Sequence, residues 1–313
     1  MLSSKDKQIL RELDLDSRQP LSQIARKVRM SKESVNYAIK KLEKQGMIHG
    51  YFSLVDYLRL GSNIFKLLVR YKDVGEKGEA SMVAWLDKKK EVVWMGKAEG
   101  KWDLIISIRE KNVENIYKLL EEFNRTFSVH IQEKQLLISY EIEWLNEKYL
   151  FDDCKQDYIV KFNQKDEKVE VNNVDNKIID LLEHNSRTPL VAIASKIGLT
   201  AEATAKRIKN LIKKKVIGGF KLRTNHDKLG KGYHHIFISL NDFSKLDEIT
   251  SYYEKSKRCV FIMKHHGSYD LHLEIVSDSE NDFREAIREL REKFGHIIAD
   301  YQQLTILQEF KLA

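Results

Sequence analysis

The sequence predicts an α+β fold in which one unit of two domains occurs twice. Three observations predict it: a long internal repeat, a basic helical segment at the start of each copy, and a βαββαβ order of apolar segments in the rest. The chain has 313 residues, which is too many for one typical core and fits several compact domains. We therefore expect each copy to hold one helical domain followed by one mixed domain.

The internal repeat appears as two segments that match at an offset of 169 residues. Residues 13–21 (LDLDSRQPL) align with residues 182–190 (LEHNSRTPL), and the register holds without a gap to residues 60–61 and 229–230. The chain has only two prolines, Pro20 and Pro189, and they occupy equivalent positions. A second register, at an offset of 167, aligns residues 100–104 (GKWDL) with 267–271 (GSYDL). The two copies therefore differ by two residues, either in the loop after Gly61 or in the next helix.

The repeat predicts the domain boundaries. We expect helical domains at residues 1–60 and 172–231 and mixed domains at 61–145 and 232–313, with a linker at 146–171. The linker is polar and charged but has apolar islands at 149–151 and 158–160, which predict some strand character.

The charge is confined to the two helical segments. Residues 1–60 carry twelve Lys and Arg against seven Asp and Glu, and residues 172–231 carry thirteen against five. The whole chain has a net charge of +7, so the remaining residues sum to −6. Two basic segments on an otherwise acidic body are typical of two modules that contact phosphates.

Composition excludes several other classes. The two cysteines, Cys154 and Cys259, are far apart and form no CxxC pair, which excludes a disulfide scaffold and a cysteine-based zinc site. The first ten residues lack the apolar core of a signal peptide, and the longest apolar stretches have the length of strands. We expect a soluble cytoplasmic protein without a membrane partner.

The first copy begins with three helices whose apolar faces follow helical spacing. These faces are Ile9, Leu10 and Leu13; then Leu21, Ile24, Ala25 and Val28; then Val35, Ala38, Ile39 and Leu42. Pro20 starts the second helix, Ser31 is a suitable N-cap for the third, and Gly46 supplies a left-handed stop. Residues 48–55 then predict the strands of a small hairpin, or wing. The second copy repeats this order with Thr200 as N-cap and Thr204, Ile208 and Leu211 facing inward.

Two short helices, a tight turn and a longer basic helix form a winged helix-turn-helix pattern, which predicts binding to double-stranded DNA. The third helix of each copy is expected to enter the major groove, where Lys and Arg neutralise phosphates and Asn, Arg and Ser contact base edges. The candidate DNA-binding residues are Ser31, Lys32, Ser34, Asn36, Tyr37, Lys40 and Lys41 in the first copy, and Thr200, Glu202, Lys206, Arg207, Lys209 and Lys213 in the second.

The mixed half of each copy has a βαββαβ order, which predicts a ferredoxin-like domain. In the first copy the expected elements are strand 64–71, helix 79–89, strands 92–95 and 104–108, helix 113–127 and strand region 129–144. In the second copy they are strand 236–240, helix 246–255, strands 260–263 and 271–276, helix 283–294 and strand region 297–310. Such a sheet has one face that its helices do not cover, and a second sheet can pack against this face. The two copies are therefore expected to pair within the chain.

The whole pattern resembles the Lrp/AsnC, or feast/famine, family of transcription regulators. Its motif stands here as Arg18-Gln19-Pro20-Leu21 followed by Ile24-Ala25, then Ser31, Val35, Ile39, Leu42-Glu43, Gly46 and Ile48, and the resemblance covers nearly everything except the linker. It implies a helix-turn-helix domain joined to an effector domain, and small effectors, often amino acids, that bind near the Gly-x-x-Asp turn and the last strand between assembled domains. Members usually have one unit, whereas this chain is similar to fused members seen in archaea.

The resemblance implies a set of effector-binding residues, which lie at the turn and on the last strand of each copy. They are Gly100, Trp102, Asp103, Glu133 and Gln135 in the first copy, and Gly267, Tyr269, Asp270, Asp300 and Gln302 in the second. The sequence departs from the family where Ala38 replaces an arginine that remains as Arg207, where Ile212 and Lys215 replace an acid and a glycine, and where the usual threonines of the last strand are missing. The two DNA readers are therefore expected to differ.

Other functions remain open at this point. Siroheme decarboxylase subunits share this architecture, but the CYxRP-like and WPYN-like signatures associated with them are absent. A metal sensor is a further alternative, because five histidines fall on neighbouring strands or the turn beside them: His234, His235, His265, His266 and His272. Adjacent histidines on a strand point to opposite faces, so each pair supplies at most one ligand per face. An architectural protein that wraps DNA without sequence preference would need the same charges.

The sequence therefore predicts a sequence-specific transcription regulator of the Lrp/AsnC type, not an enzyme, with no cofactor and no assigned metal ligand. We expect it to act as an internal pseudo-dimer that forms further homo-oligomers, modulated by an amino acid or another small metabolite.

Overall fold

The computed structural model describes residues 2–151 and 158–312. The elements of the first copy are α1 (Ser4–Leu15), α2 (Leu21–Val28), α3 (Lys32–Lys44), β1 (Ile48–Val55), β2 (Asn63–Tyr71), α4 (Glu76–Asp87), β3 (Val92–Glu99), β4 (Leu104–Glu110), α5 (Val113–Phe127) and β5 (Ile131–Trp144). Strand β6 (Val160–Asn163) follows in the linker. The elements of the second copy are α6 (Asn173–His184), α7 (Leu190–Ile197), α8 (Ala201–Lys213), β7 (Ile217–Thr224), β8 (Gly232–Leu240), α9 (Leu246–Glu254), β9 (Cys259–His266), β10 (Leu271–Ser277), α10 (Glu280–Phe294) and β11 (Ile298–Leu312).

Each helical domain closes around the apolar faces predicted from its helical spacing. In the first copy, residues from α1, α2 and α3 form one core with Ile48 and Tyr51 of β1, and in the second copy α6, α7 and α8 form its equivalent. The predicted caps are present: Ser31 accepts a hydrogen bond from the Ser34 backbone N–H, and Thr200 accepts one from Ala203. None of the helices in the described ranges is both long and apolar enough to cross a membrane.

The predicted wing hairpin is wrong. Strand β1 does not fold back on a strand of its own domain; it pairs antiparallel with β7 of the other copy, from Ile48 opposite Thr224 to Val55 opposite Ile217. Each domain contributes only one strand here, and an unpaired strand edge is satisfied most readily by its symmetry-related equivalent. The resulting two-stranded β1–β7 ribbon joins the two helix-turn-helix domains.

A reciprocal clasp lies beside the ribbon and uses the repeated Ser-Arg dipeptide. The side-chain oxygens of Ser17 and Ser186 lie 2.6 Å apart. These two serines are 169 positions apart in the chain, so they are equivalent residues of the two copies. The guanidinium of Arg187 donates to the Ser17 carbonyl at 2.5 Å, and that of Arg18 donates to the carbonyls of Ser186 and Thr188. The two helical domains are therefore related by a local two-fold axis through this contact.

The two ferredoxin-like domains merge into one closed barrel. The strand order is β2-β4-β3-β11-β8-β10-β9-β5, and β5 pairs back onto β2, while β6 extends β5 outside the ring. The copies join through β3 with β11 and through β5 with β9. The two sheets therefore meet within the chain at shared strand edges as well as at facing surfaces.

Residues alternate between the inside and the outside of the barrel. Outward residues such as Leu104, Ile106, Leu271 and Leu273 pack under the helices in two separate cores. Inward residues from both copies meet in one shared core, which contains Trp102, Phe237, Tyr269 and Leu304 among others. Neither copy could close this interior alone.

The two-residue difference between the copies lies in the loop before the first helix of the mixed domain. Strands β2 and β8 keep the offset of 169, whereas β3 and β9 keep the offset of 167. The helical segment already has the second offset, because α4 ends at Asp87 and α9 at Glu254. The loop between the first strand and this segment is residues 72–75 in the first copy and residues 241–242 in the second, where a short 3-10 turn precedes α9.

The linker is anchored at both described ends. Leu150 and Phe151 complete the core of the first helical domain, and β6 pairs with the end of β5. Residues 152–157, including Cys154, lie outside the described residues; Cys259 is buried, and burial raises the pKa of its thiol.

A buried ion cluster ties the first helical domain to the linker and the ribbon. Lys221 of β7 is 2% exposed and pairs with Asp14 of α1, which is fully buried. The backbone N–H of Glu147 and the side-chain amide of Asn146 also donate to Asp14. Burial by itself raises the pKa of Glu147, but Lys221 and His226 outweigh it and lower the value to about 2. Glu147 is therefore ionised, and it contributes negative charge beside Lys221.

Replacing Lys221 with Met is expected to lower the free energy of unfolding by about 3–5 kcal/mol, because it leaves the buried Asp14 carboxylate without its cation. A matched control is Lys118→Met, which removes an exposed pair with Glu114 on α5 and is expected to cost less than about 0.5 kcal/mol. Urea unfolding at neutral pH measures both. Equal midpoints for the two variants would contradict the assigned role of Lys221.

Candidate DNA-binding and effector sites

The third helix of each copy follows a tight turn that contains one left-handed residue. This residue is Arg29 in the first copy, with φ +54°, and Gly198 at the equivalent position in the second, with φ +72°. Ser31 and Thr200 then start α3 and α8. The turn and the cap fix the angle between the second and third helices, which is the geometric basis of a helix-turn-helix motif.

The candidate residues of α3 form an exposed row. Lys32, Ser34, Lys40 and Lys41 are exposed, and Tyr37 is 73% exposed, while Asn36 is half-buried. The Ser31 hydroxyl donates a hydrogen bond to the Ser34 hydroxyl at 2.9 Å. Both serine side chains therefore already form hydrogen bonds at the N-terminus of α3. The row presents three lysines and one large aromatic side chain to solvent.

The candidate residues of α8 differ in their accessibility to solvent. Thr200, Glu202, Lys206, Lys209 and Lys213 are exposed. Arg207 instead forms an ion pair with Asp175 of α6, with Nη1 lying 2.9 Å from Oδ1. Lys206, Lys209 and Lys213 are therefore the more accessible cations of this helix.

The glycine turns lie between the two copies. A Cβ atom at Gly100, whose φ is +146°, would lie 2.7 Å from the carbonyl oxygen of Gln303 on β11. At Gly267, whose φ is +142°, it would lie 2.9 Å from the Leu137 side chain of β5. Each turn thus packs against the last strand of the other copy, and only glycine fits both the backbone angle and the close approach.

Several of the predicted effector residues hold the turns together. The carboxylate of Asp103 accepts a hydrogen bond from the Tyr71 backbone N–H at 2.7 Å, and Asp270 accepts one from Leu240 at 2.8 Å. Trp102 and Tyr269 are buried in the shared barrel core. These four residues build the turn, so any ligand would have to contact its rim.

The predicted residues of the last strands are more accessible. Gln135 accepts a hydrogen bond from the Ser268 hydroxyl of the opposite turn, and its amide lies 3.2 Å from Glu133, which also pairs with Lys101 at 3.5 Å. In the second copy the Gln302 amide donates to Asp300 at 3.0 Å. The structure therefore brings turn and strand residues together, within one copy through Lys101 and Glu133 and across the two copies through Ser268 and Gln135.

A cavity that the motifs did not indicate lies between the ribbon and the barrel. Its volume is about 230 Å³, and its walls combine aromatic and charged groups, including Trp94, Trp144, Tyr233, Arg109 and Arg223. The guanidinium of Arg109 lies 3.5 Å from the centre of the Tyr57 ring and 2.7 Å from Glu183. The one sequence signal for it was a set of polar residues at inward positions of apolar strands, such as Lys66 in β2 and Glu274 in β10.

Comparison with known proteins agrees with the helix-turn-helix geometry in both copies. Residues 2–49 match the model for a winged helix-turn-helix DNA-binding family, and residues 172–212 match the AsnC-type helix-turn-helix domain. A proline dehydrogenase transcriptional activator of Rhodobacter capsulatus is 28% identical over 123 residues, which is 39% of this chain and 80% of that protein. An uncharacterised HTH-type transcriptional regulator of Pyrococcus furiosus is 27% identical over 124 residues, covering 39% of this chain and 82% of that protein.

The chain is similar to transcription regulators of the Lrp/AsnC type, and its second helix-turn-helix domain is of the AsnC type. Both helix-turn-helix domains support a DNA-binding transcription regulator of that type. The expected α+β fold of helix-turn-helix and ferredoxin-like domains is confirmed.

The complete two-copy architecture has a solved counterpart. The siroheme decarboxylase NirDL superposes with a TM-score of 0.65 at 12% identity, covering 99% of this chain and 93% of that one. At this identity the likeness shows the fold alone, and it includes both copies of the repeat.

Substituting Gly100 with Ala is expected to lower the free energy of unfolding by about 1–3 kcal/mol from backbone strain alone, with a further loss from the contact at Gln303. Gly50→Ala is a matched control, because nothing lies within 4 Å of its Cβ position and its φ is not positive. Thermal unfolding of both variants tests this. A Gly100→Ala variant as stable as Gly50→Ala would show that the turn is not packed against β11.

Proposed function

We propose that this chain is a sequence-specific regulator of the Lrp/AsnC type in which the two copies act as the two halves of a dimer. The observation that carries the proposal is the reciprocal clasp of Ser17, Arg18, Ser186 and Arg187 beside the ribbon. A two-fold arrangement of helix-turn-helix domains suits two half-sites on one DNA duplex. In this chain the arrangement is built into one polypeptide, so it does not depend on concentration.

The two candidate DNA-binding helices, α3 and α8, present different side chains, which favours an asymmetric DNA site. Helix α3 presents Tyr37 and Asn36 where α8 presents Lys206 and Ala205 at the aligned positions. Ala38 is buried, whereas its counterpart Arg207 is half-exposed and paired with Asp175. Different side chains at equivalent positions read different base edges.

The effector is proposed to bind at the rims of the two glycine turns. Each rim combines a turn of one copy with the last strand of the other, as the contacts of Ser268 with Gln135 and of Gly100 with Gln303 illustrate. A ligand there would bridge the copies, so its binding energy would depend on their relative arrangement. The acidic and amide groups of Glu133, Gln135, Asp300 and Gln302 suit the ammonium and carboxylate of an amino acid. An amino acid is therefore the proposed class of effector.

Charge reversal at Lys40 together with Lys209 is expected to weaken DNA binding and to reduce the slope of log affinity against log salt by about 2, one unit for each lost phosphate contact. These two lysines are exposed and have no ion-pair partner among the described contacts, unlike Arg207. Fluorescence anisotropy at several salt concentrations, with a duplex selected from a random pool, measures the slope.

Lys118 and Lys245 serve as controls for this experiment. They are exposed lysines on the helical side of the barrel, and their reversal is expected to leave the slope unchanged. An unchanged slope for the Lys40 and Lys209 variant would remove α3 and α8 from the interface. Equal affinity of the wild-type chain for selected and random duplexes would favour an architectural role over sequence-specific regulation.

The effector is tested by adding each amino acid during DNA titration. One of them is expected to change the affinity for DNA by about 5–150-fold, the usual range of allosteric coupling. Gln135→Ala is expected to abolish the response without changing DNA affinity in its absence, because Gln135 lies at the rim of a turn and far from both readers in the chain. If none of the amino acids changes affinity, the effector class is wrong while DNA binding stands.

A second candidate function is binding of a tetrapyrrole in the cavity under the ribbon. The observation that favours it is the cavity itself, in which Arg109, Arg223 and Lys66 lie among tryptophan and tyrosine rings, together with the fold shared with NirDL, which has been solved with an iron-uroporphyrin III analogue. Against it, the chain has prolines only at 20 and 189, so neither proline-containing signature of the decarboxylases can be present. Titration with iron-uroporphyrin decides between the two, because binding shifts the Soret band and its failure leaves the band unchanged.

A further inference from the structure

Three potential metal ligands lie on one interior face of the barrel. His235 of β8 stands directly opposite Glu274 of β10, and His272 lies two residues before Glu274 on the same strand. Positions directly opposite and two residues apart share one face of a sheet. His234, the neighbour of His235, points outward, where its ring stacks on Phe283 of α10 at 3.7 Å.

The three side chains converge on one point. The Nε2 atom of His235 lies 3.7 Å from Oε1 of Glu274, and the Nε2 atom of His272 lies 3.9 Å from the same oxygen. One ligand atom from each residue lies within 4.8 Å of the other two. An ion bound at about 2.0–2.2 Å from each ligand needs shorter separations than these, so the side chains must rotate towards the ion when it binds.

The two histidines are buried without hydrogen-bond partners. Both are fully buried, and no protein atom among the described residues accepts from or donates to either nitrogen of either ring. An unpartnered buried polar group is costly, so a native protein normally satisfies it. Burial, reinforced by Lys66, holds the pKa of both rings well below the usual value.

We propose that His235, His272 and Glu274 bind one divalent transition-metal ion inside the barrel. Two imidazoles and one carboxylate form a ligand set that suits Zn²⁺ and its first-row neighbours, and they leave a fourth position for water or another small ligand. Tyr233 donates its hydroxyl to the Glu274 carboxylate and orients it, as outer partners of metal ligands commonly do.

Lys66 is a buried cation that acts electrostatically on all three residues of the cluster. Its ammonium donates to the Ser107 hydroxyl at 3.0 Å and lies 5.1 Å from the centre of the Trp94 ring. Burial lowers the pKa of Lys66 to about 8, although the neighbouring Glu274 acts in the opposite direction. His265 lies on the same face, but its Nδ1 atom already contacts the Ser139 hydroxyl at 3.0 Å.

The proposed site contacts both copies, although all three ligands belong to the second copy. Trp94 of β3 stacks on the ring of His235 with centroids 5.5 Å apart, and Trp94 Nε1 donates to Glu309 of β11 at 2.8 Å. An ion that fixes His235 therefore also stiffens the edge where the copies meet. Metal binding is expected to stabilise the closed barrel, because only the folded chain brings the three ligands together.

The test uses the tag-free full-length chain after treatment with a chelator. Titration with Co²⁺ is expected to give the visible d–d absorption of a tetrahedral ion, saturating at one ion per chain, and Zn²⁺ is expected to displace it. Thermal unfolding with and without Zn²⁺ is expected to show a raised midpoint. Absence of stoichiometric uptake by the folded wild-type chain would overturn the proposal.

Variants assign the ligands. His272→Gln and Glu274→Gln are expected to abolish the Co²⁺ absorption, and Tyr233→Phe is expected to weaken binding about 10–100-fold while retaining it. His266→Gln is the matched control, because His266 lies on the same β9–β10 hairpin but is exposed and stacks on Tyr140. Circular dichroism of the metal-free variants confirms that each is folded. Retained absorption in both ligand variants, or its loss in His266→Gln, would place the ion elsewhere.

Discussion

Backbone hydrogen bonding between the two copies is the constraint on which the rest of the structure depends. Each copy brings one ribbon strand and half of a barrel, and neither part is closed without the other. Three pairings complete them: β1 with β7, β3 with β11, and β5 with β9. The exposed edges and bare sheet faces of a single copy would otherwise leave backbone groups and apolar side chains in water. Duplication within one chain provides the partner at a fixed effective concentration.

This constraint explains how one symmetrical frame can carry unequal sites. The clasp and the strand edges keep the repeated residues, such as Ser17 and Ser186, because both copies must fit the same axis. Residues that point away from the axis are free to differ. Asp14, for example, meets Lys221, whereas its counterpart Glu183 meets Arg109 and Tyr57. The DNA readers and the turn rims differ for the same reason, so the proposed asymmetric operator and unequal effector pockets follow from where the differences lie.

The interior of the barrel is not purely apolar, because it contains several buried polar and charged side chains. One end of the interior is filled by Trp102, Tyr269 and Phe237, whereas the middle contains Lys66, His235, His272 and Glu274. Burying these polar groups costs stability unless they are paired. Their convergence beside a cavity therefore indicates binding, and a metal ion would satisfy the rings that no protein group contacts.

The sequence by itself determined the local structure and the repeat. Helix caps at Ser31 and Thr200, the inward faces of α3 and α8, and the βαββαβ order all follow from spacing and capping chemistry, which act over a few residues. It did not determine that β1 pairs with β7, that Arg207 pairs with Asp175, or that three histidine and glutamate side chains meet inside a barrel. Backbone hydrogen bonds carry no residue label, and such contacts join positions far apart in the chain. Only the tertiary structure decides which strand edges meet and which side chains they enclose.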